Sequence, residues 1–264
     1  MKRIVLNIPH AVPCRDFSDW TNPENIKAEH DKWTDWFTDI VFAPNVSTLR
    51  ETLGEANTSR VIPVCAKLSR FDLDLERLIG DPMENYGQGI IYTKSKNGLS
   101  ERTLPIEETV RRTLLFVEHH AKLSTLLQPE NAILIDCHSC PNDFSEAGNA
   151  AGEPVDVCLG FNDDSTRPSD EIIELARRTF TDAGYSVGIN TPYSNSLIAH
   201  PNRPSLMIEL NKRIYLNENT NQLLPSADKL NKVLNLLYEK ILKLYKVKRE
   251  EVAAIISKLL KKIN

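Results

Sequence analysis

A chain of 264 residues, 41% hydrophobic and 26% charged, is long enough to bury a sizeable core and too ordinary in composition to be disordered or fibrous. Its formal charge of −4 and pI near 5.9 supply no general pull toward nucleic acid or an anionic membrane. Five cysteines (Cys14, Cys65, Cys137, Cys140, Cys158) are odd in number and sparse, which argues against a secreted disulfide framework, so a reducing cytoplasm is expected.

The opening "MKRIVLNIPHAV" has an apolar run of only Ile4, Val5 and Leu6 before Asn7 and Pro9 cut it, too short for a signal-peptide core. No stretch of about 18 apolar residues offers a membrane span. Strand-like runs then follow at Arg3 to Ile8, Val61 to Leu68, Ala132 to Cys137, Val155 to Phe161, Tyr185 to Ile189 and Leu206 to Leu210. Helical periodicity marks Lys32 to Val41, Ile106 to Leu127 and Asp170 to Ala183. Strands alternating with helices predict crossover units and a largely parallel sheet sandwiched by helices. In such folds ligands gather beyond the carboxyl ends of the strands. Gly80 to Glu101, with four glycines, reads as a long irregular loop of the kind that is more often functional than idle. The segment from Ala227 to Ile263 carries two helical patterns with a break expected near Val247 to Arg249, and an excess of five positive charges between Glu239 and Lys262 reads as a solvated face.

Two strands run into polar chemistry at the same rim: the first into Pro9-His10, the one from Ala132 into Asp136-Cys137-His138. Asp136 and His138, two apart on a strand, point to one face, where a carboxylate can fix the ring's tautomer while the other nitrogen binds a metal. Cys137 and Cys140 form a C-x-x-C without a second pair at zinc-finger spacing, which leaves buried thiols as the default over a redox pair. In "KWTDWFTDIVF", Asp35 and Asp39 are expected on one helical face near an N-terminus capped by Asp31 or Thr34. "SRFDLDLER" spaces Arg70, Asp74 and Arg77 so that the acid can fix arginines suited to gripping a carboxylate, a surface ion-pair cluster being the alternative. Glu209 sits among Leu206, Met207, Ile208 and Leu210, where an unpaired carboxylate is costly unless it pairs with a cation or works as a base.

Seven stretches in this order resemble the N-formylglutamate amidohydrolase family, relatives of the zinc carboxypeptidases and of the succinylglutamate desuccinylase and aspartoacylase group. They are "IPH" at Ile8 to His10, "TDWFTDIVF" at Thr34 to Phe42, "SRFDLDLER" at Ser69 to Arg77, "IDCHS" at Ile135 to Ser139, "DVCLGFN" at Asp156 to Asn162, "NTPYSNS" at Asn190 to Ser196 and "IELNKRIYL" at Ile208 to Leu216. The resemblance implies a three-layer α/β/α fold with a mixed, largely parallel central sheet, phosphorylase/hydrolase-like as in the zinc carboxypeptidases. One α/β hydrolase domain over 1–264, with a helical extension at about 225–264, is expected.

By that resemblance His10, Asp35 and His138 are implied as ligands of one Zn2+ per chain, with Glu209 as the base that activates water and Arg70 as the cation that stabilises the oxyanion. Arg70, Arg77, Asn190 and Tyr193 are implied in substrate binding, with Asp136 and His120 behind the metal. The substrate implied is a small acyl-amino acid, with no nucleic acid or membrane partner. Several positions depart from the family pattern: Ser194, Asn195 and Ser196 replace glycines after "PY", Asp163 or Asp164 stands where a glycine is usual, and Lys212 takes the place of an arginine. A zinc peptidase acting on a peptide or γ-glutamyl bond, a non-catalytic binding protein retaining the fold, and a thiol hydrolase using Cys137 or Cys140 stay open as alternatives.

Overall fold

The computed structural model describes residues 3–53, 60–143 and 154–263, with the backbone alone given for 52–53 and from 245 onward. Among the described residues the main sheet has six strands, β1 (Arg3–Ile8), β2 (Val61–Cys65), β3 (Ala132–Cys140), β4 (Val157–Gly160), β5 (Val187–Ile189) and β6 (Ser205–Asn211). They pair in the order β2-β1-β3-β6-β4-β5. All neighbours run parallel except β4, which is antiparallel to β6 and places Cys158 opposite Glu209. The sheet is therefore mixed and mostly parallel, as expected. A short ribbon of β7 (Leu216–Asn217) and β8 (Gln222–Leu223) stands apart from it.

Side-chain alternation explains why helices cover both faces. Ile4, Leu6 and Ile8 of β1, Ile133, Ile135 and Cys137 of β3, and Leu206, Ile208 and Leu210 of β6 share one face and one core cluster. The helices α2 (Thr38–Val41), α3 (Val46–Leu53), α5 (Asp170–Asp182) and α6 (Ser226–Ile263) close over it with Val41, Leu49, Ala176, Phe180, Leu234 and Tyr238. The opposite face gathers Val5, Val64, Ala132 and Leu134 against Leu123 and Leu127 at the end of α4 (Ile106–Leu126). Each large aliphatic side chain buried this way stabilises the fold by about 1.5–3 kcal/mol. On that second face the alternation continues into Asn7, Asp136, His138 and Glu209, so apolar cover gives way to polar groups at the carboxyl ends of the strands.

Three local expectations are corrected. The helix expected at Lys32 to Val41 does not form: α1 runs Pro23–Trp33, started by the Asn22 side chain accepting from Asn25 N and by Pro23 at its first position. Thr34 ends it in an extended conformation, so it caps the carboxyl end, and Asp35 lies in the turn between α1 and α2. Asp35 is buried and Asp39 exposed, so the two share no helical face. The C-terminal segment is one continuous α6 without a break near Val247, because no proline or glycine interrupts it and a valine costs a helix only a few tenths of a kcal/mol. Its described part from Leu230 to Leu242 belongs to the core, whereas the basic excess toward Lys262 falls largely on side chains outside the described residues. The Gly80 to Glu101 loop holds a 3-10 turn at Pro82–Tyr86 and two isolated bridges, Gln88 with Tyr92 and Lys94 with Glu101. A helix not anticipated, α3, starts at Asn45, whose side chain accepts from Thr48 N.

Candidate metal centre

His10, Asp35 and His138 meet at the carboxyl ends of β1 and β3, all buried, each offering one donor atom within 4.8 Å of the others. His10 follows β1 directly, and its carbonyl accepts from Asp35 N at 3.1 Å, which ties the turn after α1 to the rim. Thr38 closes that turn, donating from its backbone N and its hydroxyl to Asp35 O at 3.1 and 2.9 Å, with Phe37 between them at φ 60°. That left-handed conformation costs an L-residue roughly 1 kcal/mol or more, a local expense that fixes where the Asp35 carboxylate points. Asp35 Oδ2 lies 3.7 Å from His10 Nδ1 and 3.3 Å from His138 Nδ1. Among the described residues, neither His10 Nδ1 nor Asp35 Oδ2 has a hydrogen-bond partner.

The far nitrogen of each ring is held by carboxylates. His10 Nε2 lies 2.8 Å from Asp74 Oδ1. Asp74, fully buried, also accepts from Tyr92 Oη at 2.6 Å, Arg70 at 3.1 Å and Glu76 N at 3.0 Å. His138 Nε2 lies 3.2 Å from Asp136 Oδ1 and 3.6 Å from Glu76 Oε1. These two acids are in turn gripped by one amide: Asn7 Nδ2 donates to Asp136 Oδ1 at 2.8 Å and to Glu76 Oε1 at 3.0 Å. Asn7 Oδ1 pairs with His119 Nε2 at 2.8 Å, and burial pushes the His119 ring down to about 4, so it stays neutral and donates. Imidazoles whose second nitrogen is fixed by a carboxylate present the first as a ready metal donor.

Charge supports the same reading. Burial and the Arg70 charge lower the His10 pKa, yet Asp74 and Asp35 outweigh them and raise it. For His138 burial is likewise overcome by Asp136 and Glu76, which hold the ring well above the usual histidine range. Five carboxylates (Asp35, Asp74, Glu76, Asp136, Glu209) thus surround two imidazoles, a field a cation would neutralise. Two nitrogens and one carboxylate oxygen, two of them unpartnered, fit a divalent metal with a position left open. Glu76, Asp136 and His138 Nε2 also approach closely enough to ligate, but Asn7 and Leu197 N already satisfy those oxygens, so this second group acts as the support of the first.

Glu209 faces the same cavity from β6, in register with His138. Burial pushes its carboxyl up to about 7. The cleft, about 540 Å³, is also lined by Arg70, Arg77, Tyr193 and, from the 80–101 loop, Met83, Gln88, Tyr92 and Lys96. Arg77 Nε is buried without a hydrogen-bond partner among the described residues, its nearest charge being Asp74 Oδ2 at 3.9 Å. Asn190 is placed differently: it does not line the cleft, and its side chain accepts from Phe161 N at 2.8 Å, pinning the loop that carries Tyr193. That loop passes so close to β4 that a Cβ on Gly160 would lie 2.6 Å from Asn195 O. His120 reaches only Leu75 O at 3.0 Å and packs on Phe116, while its neighbour His119 backs the site. Sequence reasoning left Asn7, Glu76 and His119 unassigned. The single usable signal was Asn7, an amide interrupting an otherwise apolar strand. Cys137 and Cys140 have thiols raised by burial, which makes them poor nucleophiles.

Fold and cleft together define an α/β protein with a candidate metal centre at the carboxyl rim of a mixed sheet. Residues 2–216 match the model of the N-formylglutamate amidohydrolase family, and the chain belongs to that family. It is similar in fold to the crystal structure of N-formylglutamate amidohydrolase from Ralstonia eutropha JMP134, with a TM-score of 0.73 and 21% identity over 94% of this chain and 96% of that one. The gene product Atu2144 from Agrobacterium tumefaciens is also similar, with a TM-score of 0.59 and 15% identity over 92% and 89% of the two chains. Among curated proteins, none matches this chain. Among the described residues, no helix is long and apolar enough to cross a membrane.

Proposed function

We propose that this chain is a zinc-dependent amidohydrolase that cleaves the amide of an N-formyl or other N-acyl acidic amino acid. The observation that carries the reading is the pair of buried atoms without a hydrogen bond, His10 Nδ1 and Asp35 Oδ2, converging with His138 opposite a carboxyl of raised pKa. When held by His10, Asp35 and His138, zinc supplies Lewis acidity and lowers the pKa of a bound water to about 7. Glu209, uncharged more readily than an ordinary glutamate, is suited to accept the proton of the attacking water and return it to the leaving amine. Arg70, oriented by Asp74, stabilises the charge that develops on the former carbonyl oxygen. Arg77 and Tyr193 take the substrate carboxylates, and Asn190 serves them indirectly by fixing the Tyr193 loop. Asp74, Asp136, Glu76 and Asn7 keep both rings in one tautomer and orientation.

A cleft of about 540 Å³ also has room for a peptide or γ-glutamyl substrate, the second reading. One experiment separates them: a panel of N-formyl, N-acetyl and N-succinyl amino acids and γ-glutamyl dipeptides, assayed with zinc supplied. Turnover of N-formyl or N-acyl aspartate or glutamate above the rest is expected. Preference for the dipeptides would establish the peptidase, and no turnover with bound metal would mark a binding protein.

A further inference from the structure

The outer face of α4 carries apolar residues that none of the described residues covers. Ile106, Val110, Leu114 and Val117 are 69, 50, 64 and 52% exposed. At about 100° per residue they and Ala121 fall within an arc of roughly 80°, running the length of the helix. Beside that arc, on one flank only, lie Glu107, Arg111, Glu118 and Lys122, all exposed. The other flank carries Thr109, Thr113 and His120. The opposite side of the helix is buried through Arg112, Phe116, His119 and Leu123, so the exposed stripe is not the helix's core face turned outward.

We propose that this face is the interface of a two-fold dimer in which α4 pairs antiparallel with α4 of a second copy. The charges argue for that occupant. A two-fold axis perpendicular to the helix sets the same flank of both copies side by side and reverses their direction. With the axis at Leu114, Glu107 meets the partner's end of the helix at Lys122, and Arg111 meets Glu118. Acid faces base at all four crossings. A parallel pairing or a slip of one turn loses that match. Arg111 and Glu118 have partners on their own surface, Glu108 and Lys67, but exposed pairs of this kind are worth little and exchange readily. The stripe offers about 400 Å² of apolar surface per copy, within the range of the patches on monomers that serve as binding sites. An interface built from one such stripe and its charged rim falls at the low end of specific interfaces, below about 1,200 Å², which corresponds to a weak, salt-sensitive dimer.

Sedimentation velocity of the full chain from about 1 to 100 µM tests this, with association in the micromolar range expected. Leu114→Arg, which sets two like charges together on the axis, raises the dissociation constant about 100-fold or more, with the circular dichroism spectrum unchanged. Glu107→Lys weakens the dimer, and adding Lys122→Glu to the same chain restores it. A wild-type chain that stays monomeric at about 100 µM in low salt overturns the proposal and assigns the face to another partner. A dimer indifferent to Leu114→Arg also overturns it. Failure of the double charge exchange to recover association would refute the antiparallel arrangement. None of these residues lines the cleft, so hydrolysis per chain is a separate readout.

Discussion

Asp72 and Asp74, two residues apart in one irregular segment, are each ringed by arginines, and they end in opposite situations. Asp72 accepts from Arg102 at 3.2 Å and Arg112 at 3.1 Å. Those guanidinium groups go on to Asp19, Glu108 and the carbonyls of Phe71, Asp72 and Tyr92. Every charge there ends on a partner within the chain. Asp74 accepts from Arg70, Tyr92 and His10, but around it His10 Nδ1, Asp35 Oδ2 and Arg77 Nε are buried with no hydrogen-bond partner among the described residues, only ion-pair contacts of 3.3 to 3.9 Å. A buried polar atom left unpaired costs about 1–3 kcal/mol, so three near one cavity mark where a ligand supplies the missing bonds. The Asp72 cluster is scaffold that ties Phe71 and Asp72 to Tyr92 within the 80–101 loop through Arg102 just after it; the Asp74 cluster is prepared for a ligand.

Substitutions can break or sharpen this contrast. The largest effect is expected at the donors: His138→Ala or Asp35→Ala should reduce metal content from about one per chain to near zero, measured by elemental analysis, and abolish hydrolysis. Retained stoichiometric metal in both would remove the proposed centre. Glu209→Gln should keep the metal and lower turnover about 10²–10⁴-fold, and wild-type turnover would reassign the base. Next come the supports: Asp74→Asn or Asn7→Ala should weaken metal affinity about 10–100-fold in chelator competition, whereas Asp72→Asn should leave affinity unchanged. Equal effects at Asp72 and Asp74 would erase the distinction between the two clusters. On the scaffold side, Asp72→Asn should cost about 1–3 kcal/mol in urea denaturation.

A subtler expectation concerns pH. Burial raises the Glu209 carboxyl from an ordinary 4.5 to about 7, so between those values the metal-free folded state keeps a proton that the unfolded chain has lost. Stability from this group is therefore present at low pH and declines as pH rises through that window, by on the order of 3 kcal/mol. Metal-free Glu209→Gln should accordingly be more stable than wild type at pH 8 and similar to it near pH 4. A pH-independent difference would show that Glu209 ionises normally.

Much of the sheet was legible because its period is local. The alternation in Arg3–Ile8 and Ala132–Cys140 needs only two buried faces, and Pro9 after β1 puts His10 at the rim where His138 must also emerge. Glu209 was legible as an acid inside an apolar run. The turn that carries Asp35 was not, since Trp33, Trp36 and Phe37 also fit a helix, and only the tie of Asp35 N to His10 O decides against one. His119 and His120 are adjacent in the sequence with equal chemistry, and the choice between them depends on which side of α4 faces Asn7.

The sequence by itself thus determined the strands, the largely parallel character of the sheet and the rim at which two imidazoles emerge, because alternation and punctuation act over a few residues. Tertiary structure alone decided which oxygen of Asp35 is left unpaired, which carboxylate holds which ring, and that Asn7 clamps Asp136 to Glu76. Those depend on distances of about 3 Å between segments far apart in the chain, which only packing sets, since a hydrogen bond weakens steeply once that distance and its angle are lost.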